Sequence, residues 1–249
     1  FTPYFQMESD TKGLATLVAG VASVAMLAFL TSRIGRIRSR GPKKANVFTI
    51  ALTGGPCGGK SSCLKVVKAA LEKQGYGVYL VPETPTILIG GGAEYPGING
   101  GQSLIEFERG LIDLQLQMEN SFLGIAASVP KKSVVICDRG LLDVKAYMPR
   151  ALWEEVLDAM GLREPDLVAR YDLVLHMVTA AKGAEKFYTT ANNAARKETP
   201  EEARALDDAV VAAWAQHPRV AVAGNGGAAG FQGKLDRCVA AVLGALKEG

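Results

Sequence analysis

The stretch from Gly54 to Ser62, GGPCGGKSS, constrains this chain more than any other part of the sequence. It fits the phosphate-loop (P-loop) pattern GxxxxGK[ST], in which small residues let the backbone curl so that several N–H groups point at one phosphate chain. An apolar run over 47–52 precedes it, and Leu64, Val67 and Leu71 follow at helical spacing. The order is therefore strand, loop and helix, as the pattern requires. The alternative is a glycine-rich turn in which Gly-Lys-Ser occurs by chance.

The residues of the loop have distinct expected roles. Lys60 is placed to reach the β- and γ-phosphates, and the Ser61 hydroxyl is placed to hold Mg²⁺. A helix that begins after the loop adds the partial positive charge of its N-terminus. The sequence therefore predicts that ATP or GTP binds with Mg²⁺. The predicted nucleotide-binding residues are Gly54, Gly55, Cys57, Gly58, Gly59, Lys60, Ser61 and Ser62.

Two acidic residues follow predicted strands. Glu83 comes after the short strand 78–81, and Asp138, followed by Arg139, comes after the apolar strand 133–137. Ligands bind beyond the carboxyl ends of the strands in open α/β sheets. Glu83 is therefore a candidate general base or ligand of a Mg²⁺-bound water, Asp138 a candidate Mg²⁺ ligand, and Arg139 a candidate phosphate contact. The alternatives are a solvated turn carboxylate and a structural ion pair.

A polar, irregular stretch covers residues 180–199. A loop of this length inside a compact domain is usually functional or disordered. We expect it to act as a lid over the phosphates, with Arg196 or a lysine as the contact. A helix is expected to follow, with Thr199 as its N-cap and Pro200 at its first position.

The remaining sequence alternates between strands and helices, which predicts an α/β fold with a parallel sheet covered on both faces. Residues 87–101 are rich in glycine and predict a mobile loop, and a long helix is predicted over about 102–127. His176 lies inside a predicted strand, which favours a hydrogen-bonded core histidine over a catalytic one. Polar residues on the long helix face either an acceptor or solvent: Glu108, Arg109, Gln115 and Glu119.

The N-terminal part of the chain differs in composition from the rest. Residues 1–46 hold seven of the 28 Lys and Arg residues and two of the 25 Asp and Glu residues, so they carry a net charge of +5 while the remainder carries −2. Residues 13–30 contain no charged side chain, and basic residues follow between positions 33 and 44. This pattern predicts a transmembrane helix over 13–32, with the basic end in the cytosol or the mitochondrial matrix. The alternatives are an uncleaved signal sequence and a buried core helix.

The predicted organisation is an N-terminal tail (1–12), a transmembrane helix (13–32), a basic linker (33–45) and a P-loop domain (46–249). The chain starts at Phe1 instead of Met, which fits either a fragment of a longer sequence or removal of a transit or signal peptide. Because the excess positive charge lies in the N-terminal segment, no nucleic-acid partner is expected. The four cysteines lack metal-ligand spacing and are expected to be reduced thiols.

Four segments together resemble a known family: TGGPCGGKS at 53–61, VPE at 81–83, CDRGLLD at 137–143 and NAARKETPEEA at 193–203. As a set they are similar to the AAA-type P-loop family of translocation-defect-like and NadR-like kinase domains, over about residues 46–247. The acidic residues after strands two and three are also distantly similar to those of deoxynucleoside and thymidylate kinases.

The resemblance implies a P-loop kinase-like three-layer sandwich with a five-stranded parallel sheet of order 2-3-1-4-5, ATP or GTP with Mg²⁺, and a lid. By position it implies phosphate contacts at Lys60 and Ser61 and a Mg²⁺ role for Asp138. The comparison with nucleoside kinases implies a base role for Glu83 and phosphate and lid roles for Arg139 and Arg196. Thr84 departs from the Pro-Glu-Pro of those kinases, and a membrane anchor departs from the family pattern.

Two functions follow from these features. The first is an accessory subunit of a mitochondrial inner-membrane complex, with the P-loop domain on the matrix side and a nucleotide retained for stability. The second is an active kinase that transfers a phosphoryl group from NTP to a small nucleoside-like hydroxyl acceptor. The apolar segment and the start of the chain favour the first, and the complete set of site residues favours the second. A third possibility, a GTPase-like switch or membrane-lipid sensor, has less support because the chain has no clear Asn-Lys-x-Asp motif.

Overall fold

The computed structural model describes residues 46–188 and 198–248. Within these residues five strands form one parallel sheet, in the order β2-β3-β1-β4-β5. The strands are β1 (Val47–Gly54), β2 (Gly77–Val81), β3 (Ser133–Asp138), β4 (Leu173–Met177) and β5 (Val220–Ala223). The predicted sheet and its order are confirmed.

Helices connect successive strands, because parallel neighbours require a crossover between them. The α-helices are α1 (Lys60–Lys73), α2 (Thr84–Gly90), α3 (Gln102–Ser128), α4 (Arg150–Met160), α5 (Glu164–Val168), α6 (Pro200–Ala213) and α7 (Gly230–Glu248), and 3-10 helices cover Leu141–Tyr147 and Glu185–Phe187. Helix α6 begins as predicted: Thr199 is its N-cap and forms a capping box with Glu202.

The sheet separates two apolar clusters, because successive side chains of a strand point to opposite faces. Along β1, Ala51 belongs to the cluster covered by α3, α4 and α6, whereas Ile50 and Leu52 belong to the cluster covered by α1 and α7. Trp153 and Trp214 are buried in the first cluster. The result is a three-layer α/β sandwich, as predicted.

One local expectation is wrong, and one of two open alternatives is excluded for three residues. Residues 87–101 do not form one continuous loop, because α2 extends to Gly90. Pro85 lies in the first turn of α2, where its missing N–H costs nothing. On α3, Glu108, Gln115 and Glu119 are buried, so they do not form a solvated face. Gln115 and Glu119 form hydrogen bonds on this buried side of the helix.

Some predictions concern residues outside the described part of the chain. They are the transmembrane helix over 13–32, the linker over 33–45 and the lid contact at Arg196. Among the helices within 46–188 and 198–248, none combines the length and the apolar character needed to cross a membrane.

Candidate functional site

The P-loop leaves the carboxyl end of β1 beside the end of β4. A Cβ atom on Gly54 would lie 2.2 Å from the carbonyl oxygen of Met177, so a side chain cannot fit there. Cys57 has a left-handed backbone conformation, with φ of 56°, and the Gly58 N–H donates to the Gly55 carbonyl at 3.1 Å. The loop therefore curls tightly against β4. Contact with this strand is part of the reason that only glycine fits at position 54.

Asp207 on α6 holds the P-loop from one side. Its buried Oδ1 accepts from the backbone N–H groups of Gly55 and Thr179, at 3.0 Å each, and lies 3.0 Å from His176 Nε2. Its Oδ2 accepts from Lys182 at 3.0 Å. Burial opposes ionisation of Asp207, but the bonds from His176 and Lys182 outweigh it and lower its pKa to about 2. His176 is thus the hydrogen-bonded core histidine that the sequence predicted.

Lys234 on α7 holds the P-loop from the other side. Its buried ammonium group donates to the carbonyl of Gly58 at 2.9 Å, to the carbonyl of Val178 at 2.6 Å and to Asn225 Oδ1 at 2.8 Å. Burial lowers its pKa to about 8. Sequence reasoning missed both Asp207 and Lys234. The sequence feature that could have identified them is a charged residue on the apolar face of each amphipathic helix.

Helix α1 presents its N-terminus at the end of this loop. Its N-cap residue is Gly59, which has no side chain to accept the first N–H groups of the helix. Lys60 is the first residue of α1, Ser61 is exposed and Ser62 is half-buried. Backbone donors with no side-chain cap beside a lysine form a suitable binding site for a polyphosphate.

Lys60 also lies among the charged groups that follow β2 and β3. Burial is the main reason that its pKa lies below the usual lysine value, and the charge of Arg139 lowers it further. The carboxylates of Glu83, Asp138 and Asp143 act in the opposite direction. The structure therefore brings one P-loop cation, the strand-end carboxylates of Glu83 and Asp138, and the carboxylate of Asp143 into a single electrostatic cluster.

Asp138 has the character expected of a metal ligand. Its Oδ1 is buried and finds no hydrogen-bond donor among the described residues. Burial raises the pKa of Asp138, Glu83 raises it further, and Lys60 and Arg139 oppose this shift. An orphaned carboxylate oxygen near the start of α1, where Ser61 lies, fits the oxygen-ligand chemistry of Mg²⁺.

Glu83 and Arg139 form an ion pair across the ends of β2 and β3. Arg139 Nε donates to Glu83 Oε1 at 2.7 Å, and the Thr86 hydroxyl donates to Oε2 at 2.5 Å. Burial opposes ionisation of Glu83, but Arg139, Lys60 and the Thr86 hydroxyl lower its pKa to about 2. A carboxylate with so low a pKa is a weak base at neutral pH, and it is better suited to orienting a hydroxyl group than to removing its proton.

A buried network supports Arg139. Asp143 Oδ2 accepts from Arg139 Nη1 at 3.2 Å, and the carboxylate also accepts from the Thr53 hydroxyl and from Trp214 Nε1, both at 2.7 Å. A Cβ atom on Gly140 would lie 2.5 Å from the Trp214 ring. The predicted motif after β3 thus combines candidate ligand-binding residues with residues that pack against Trp214 at the end of α6.

The inner face of α3 carries further polar contacts. Gln115 donates to the Arg139 carbonyl at 3.1 Å and to Glu119 at 3.0 Å, and it accepts from the Thr84 hydroxyl. Glu119 accepts from the Tyr171 hydroxyl at 2.6 Å. These bonds tie α3 to the ends of β2 and β3. The described structure thus groups Lys60, Asp138, Glu83 and Arg139, and their catalytic and metal-binding roles remain predictions.

Comparison with known proteins identifies the family. A family model described as an AAA domain matches residues 49–227. No curated protein matches the chain closely enough to count as a relative. The match to this model confirms the resemblance drawn from the P-loop and the strand-end residues.

One solved structure with a TM-score above 0.5 supports the fold, and two others are similar to a lesser degree. A structure of NadR protein in complex with NR matches with a TM-score of 0.54 at 13% identity, covering 79% of this chain and 51% of the other. A structure of NadR with NAD and AMP-PNP has a TM-score of 0.46 at 10% identity, and the match covers 79% of this chain and 49% of the other. A structure of shikimate kinase from Acinetobacter baumannii with shikimate has a TM-score of 0.44 at 16% identity, and the match covers 81% of this chain and 94% of the other. The chain spans about half the length of the NadR structures it matches. It belongs to the AAA-domain family of P-loop, kinase-like NTPases.

Proposed function

We propose that this chain binds ATP or GTP with Mg²⁺ and transfers the terminal phosphoryl group to a hydroxyl of a small, nucleoside-like acceptor. The observation that carries the proposal is the buried, unpartnered Oδ1 of Asp138, which lies in one cluster with Lys60 and with the Glu83–Arg139 pair. Most buried polar atoms in folded proteins have a hydrogen-bond partner, so an orphaned carboxylate oxygen in this cluster favours a ligand over a purely structural ion-pair network.

Each residue of the site has its own role in such a transfer. The uncapped N–H groups of α1 and the Lys60 ammonium bind the β- and γ-phosphates. Asp138 and Ser61 hold Mg²⁺, which neutralises phosphate charge when bound. Arg139, held between Glu83 and Asp143, adds positive charge beside the phosphates. Glu83 orients the acceptor hydroxyl. Arg196, outside the described residues, is proposed to complete the phosphate contacts from the lid.

Phosphoryl transfer can be tested with labelled nucleotide. Wild-type protein is incubated with γ-labelled ATP or GTP, Mg²⁺ and a panel of nucleosides that includes NR, since one NadR structure of the same fold contains NR. Label should move to one class of acceptor, and Lys60→Ala should abolish the transfer. Nucleotide binding without transfer to any acceptor, or mere release of phosphate, would contradict the proposal.

A second candidate function is a nucleotide-retaining accessory subunit of a membrane complex. It is favoured by the way Asp207 and Lys234 tie the P-loop to α6 and α7, because a bound nucleotide would then stabilise much of the fold. The apolar segment 13–32 would anchor the chain, with the P-loop domain on the matrix side of the mitochondrial inner membrane. Purification from native membranes in mild detergent would test this. Stoichiometric, unhydrolysed nucleotide within a large assembly would support it, and a protein without partners would count against it.

A further inference from the structure

One buried carboxyl group is not used by the phosphate site. Glu108 on α3 is 2% exposed, and its Oε2 has no hydrogen-bond partner among the described residues. Its neighbours on the same helix face, Gln115 and Glu119, are both hydrogen-bonded. A buried carboxyl oxygen without a donor is costly and rare in folded proteins, so it calls for a partner that residues 46–188 and 198–248 do not supply.

The direction of α3 places Glu108 above the sheet. The helix joins β2 to the parallel strand β3, so it runs antiparallel to both, and its N-terminal half lies at their carboxyl ends. Gln115 contacts the Arg139 carbonyl, immediately beyond β3. Glu108 lies about two helical turns, or roughly 10 Å, closer to the N-terminus of α3. It therefore lies beyond the strand ends, where open α/β sheets bind their ligands.

Aromatic residues lie between the N-terminal half of α3 and Arg139 of the electrostatic cluster. The Tyr95 hydroxyl donates to the Tyr147 carbonyl at 2.8 Å, and the Tyr95 ring packs edge-on against Phe107, with centroids 5.6 Å apart. The Arg139 guanidinium lies 5.6 Å from the centre of the Tyr147 ring. Phe107 is next to Glu108 in the chain, and burial, followed by the charge of Glu108, raises the pKa of Tyr95 to about 12.

We propose that Glu108 is a specificity-determining residue that binds a sugar hydroxyl of a nucleoside acceptor. A hydroxyl group both donates and accepts, so it can satisfy Glu108 whether or not that carboxyl group is protonated. Tyr95, which is 40% exposed, offers a stacking surface for a flat base. This inference rests on the proposed function, since it assigns the acceptor of that same site.

Wild-type protein allows a first test without any substitution. With a non-hydrolysable ATP analogue and Mg²⁺ present, calorimetry measures binding of adenosine, guanosine, cytidine, uridine and NR. It then measures the 2′-deoxy and 3′-deoxy analogues of whichever nucleoside binds. At least one analogue should bind tenfold or more weakly, because it would leave Glu108 unpartnered. Equal binding of both analogues, or binding of no nucleoside, would overturn the inference.

Substitutions at Glu108 give the second test. Glu108→Leu should raise the dissociation constant of the bound nucleoside at least tenfold and remove the discrimination against the deoxy analogue. Glu108→Gln retains a donor and an acceptor and should change the constant by less than threefold. The matched control is Glu106→Leu, since Glu106 lies on the exposed side of the same helix. None of these changes should alter the affinity for the ATP analogue.

Two readouts separate this inference from the proposed function. Nucleoside binding that depends on Glu108 but without label transfer would support the acceptor site and contradict the kinase activity. Label transfer whose acceptor KM is unchanged in Glu108→Leu would support the kinase activity and overturn the role of Glu108. Thermal unfolding without ligands checks that Glu108→Leu folds. A purely structural role for Glu108 predicts altered unfolding with unchanged nucleoside affinity.

Discussion

Asp207 Oδ1 lies 3.0 Å from the backbone nitrogen of Gly55, so a helix late in the chain holds the P-loop in place. The same carboxylate accepts from Thr179 and Lys182, which precede the segment 189–197, while Asp207 itself follows that segment. The two stems of the predicted lid therefore meet at one buried side chain. Any movement of either stem would act directly on the backbone of the P-loop.

Asp207→Asn should loosen the P-loop. The substitution keeps one oxygen acceptor but removes the charge that faces His176 and Lys182. We expect the free energy of unfolding to fall by about 2–3 kcal/mol, the usual cost of breaking a buried charged network, together with weaker ATP binding. Urea denaturation and calorimetry measure the two effects.

Asp208→Asn is the matched control, because Asp208 is largely exposed and contacts the same Lys182. It should change stability by less than about 1 kcal/mol. Equal effects of the two substitutions would refute the proposed importance of Asp207 for the P-loop.

Lys60→Ala should weaken nucleotide binding without unfolding the protein. Removing a charge-assisted contact to phosphate typically costs about 1.5–3 kcal/mol, so the dissociation constant for ATP with Mg²⁺ should rise about 10- to 100-fold. Because burial disfavours the charged form of Lys60, the ligand-free protein should be no less stable. Lys65→Ala, at an exposed position of α1, should bind ATP normally. Unchanged ATP affinity in Lys60→Ala would show that the P-loop is not the nucleotide site.

Asp138→Asn should weaken nucleotide binding only where that binding depends on Mg²⁺. We expect the Mg²⁺ concentration needed for half-maximal nucleotide binding to rise at least about tenfold, since a neutral amide is a poorer ligand than a carboxylate. ATP binding in the presence of EDTA should match that of the wild type. A titration of Mg²⁺ at fixed ATP measures the effect. An equal loss with and without Mg²⁺ would instead indicate that Asp138 supports the fold of the site.

Glu108 should make the free energy of unfolding fall as pH rises above about 4.5. Burial raises its pKa from 4.5 to about 8, so between these pH values the native state holds a proton that the unfolded state has released. The free energy of unfolding should therefore fall as pH rises through this range, by at most about 1.4 kcal/mol per pH unit. Urea denaturation of wild type and Glu108→Gln at pH 5 and 7.5 isolates this contribution. Parallel pH profiles for the two proteins would contradict it.

Gly140→Ala should strain the contact between the motif after β3 and α6. The added Cβ would lie 2.5 Å from the Trp214 ring and 2.9 Å from the Ala51 Cβ, so we expect a loss of about 1–3 kcal/mol in stability. Gly110→Ala is the control: Gly110 lies within α3 and its Cβ would meet nothing within 4 Å. That change should stabilise the protein by about 0.5–1 kcal/mol. A neutral Gly140→Ala would show that Trp214 moves aside easily.

The local pattern of the sequence determined the P-loop, the strands around it and the strand-end positions of Glu83 and Asp138. These features depend on spacing within a few residues and on the rule that parallel strands share one carboxyl edge. The order of the sheet came from the family resemblance, and the structure agrees with it. The short helix α2 was missed because a glycine-rich stretch follows it and gives little periodicity.

Only the tertiary structure decided which residues hold the site together. Asp207 and Lys234 contact the P-loop across 152 and 176 positions of sequence, and Glu108 is distinguished by the partner that it lacks. Such contacts depend on how helices pack on the sheet, and the periodicity of one helix cannot reveal which distant carbonyl or amide its charged residue will meet. Sequence spacing thus determines where the loop and the strand ends lie, whereas packing determines the burial, partners and pKa values of the groups around them.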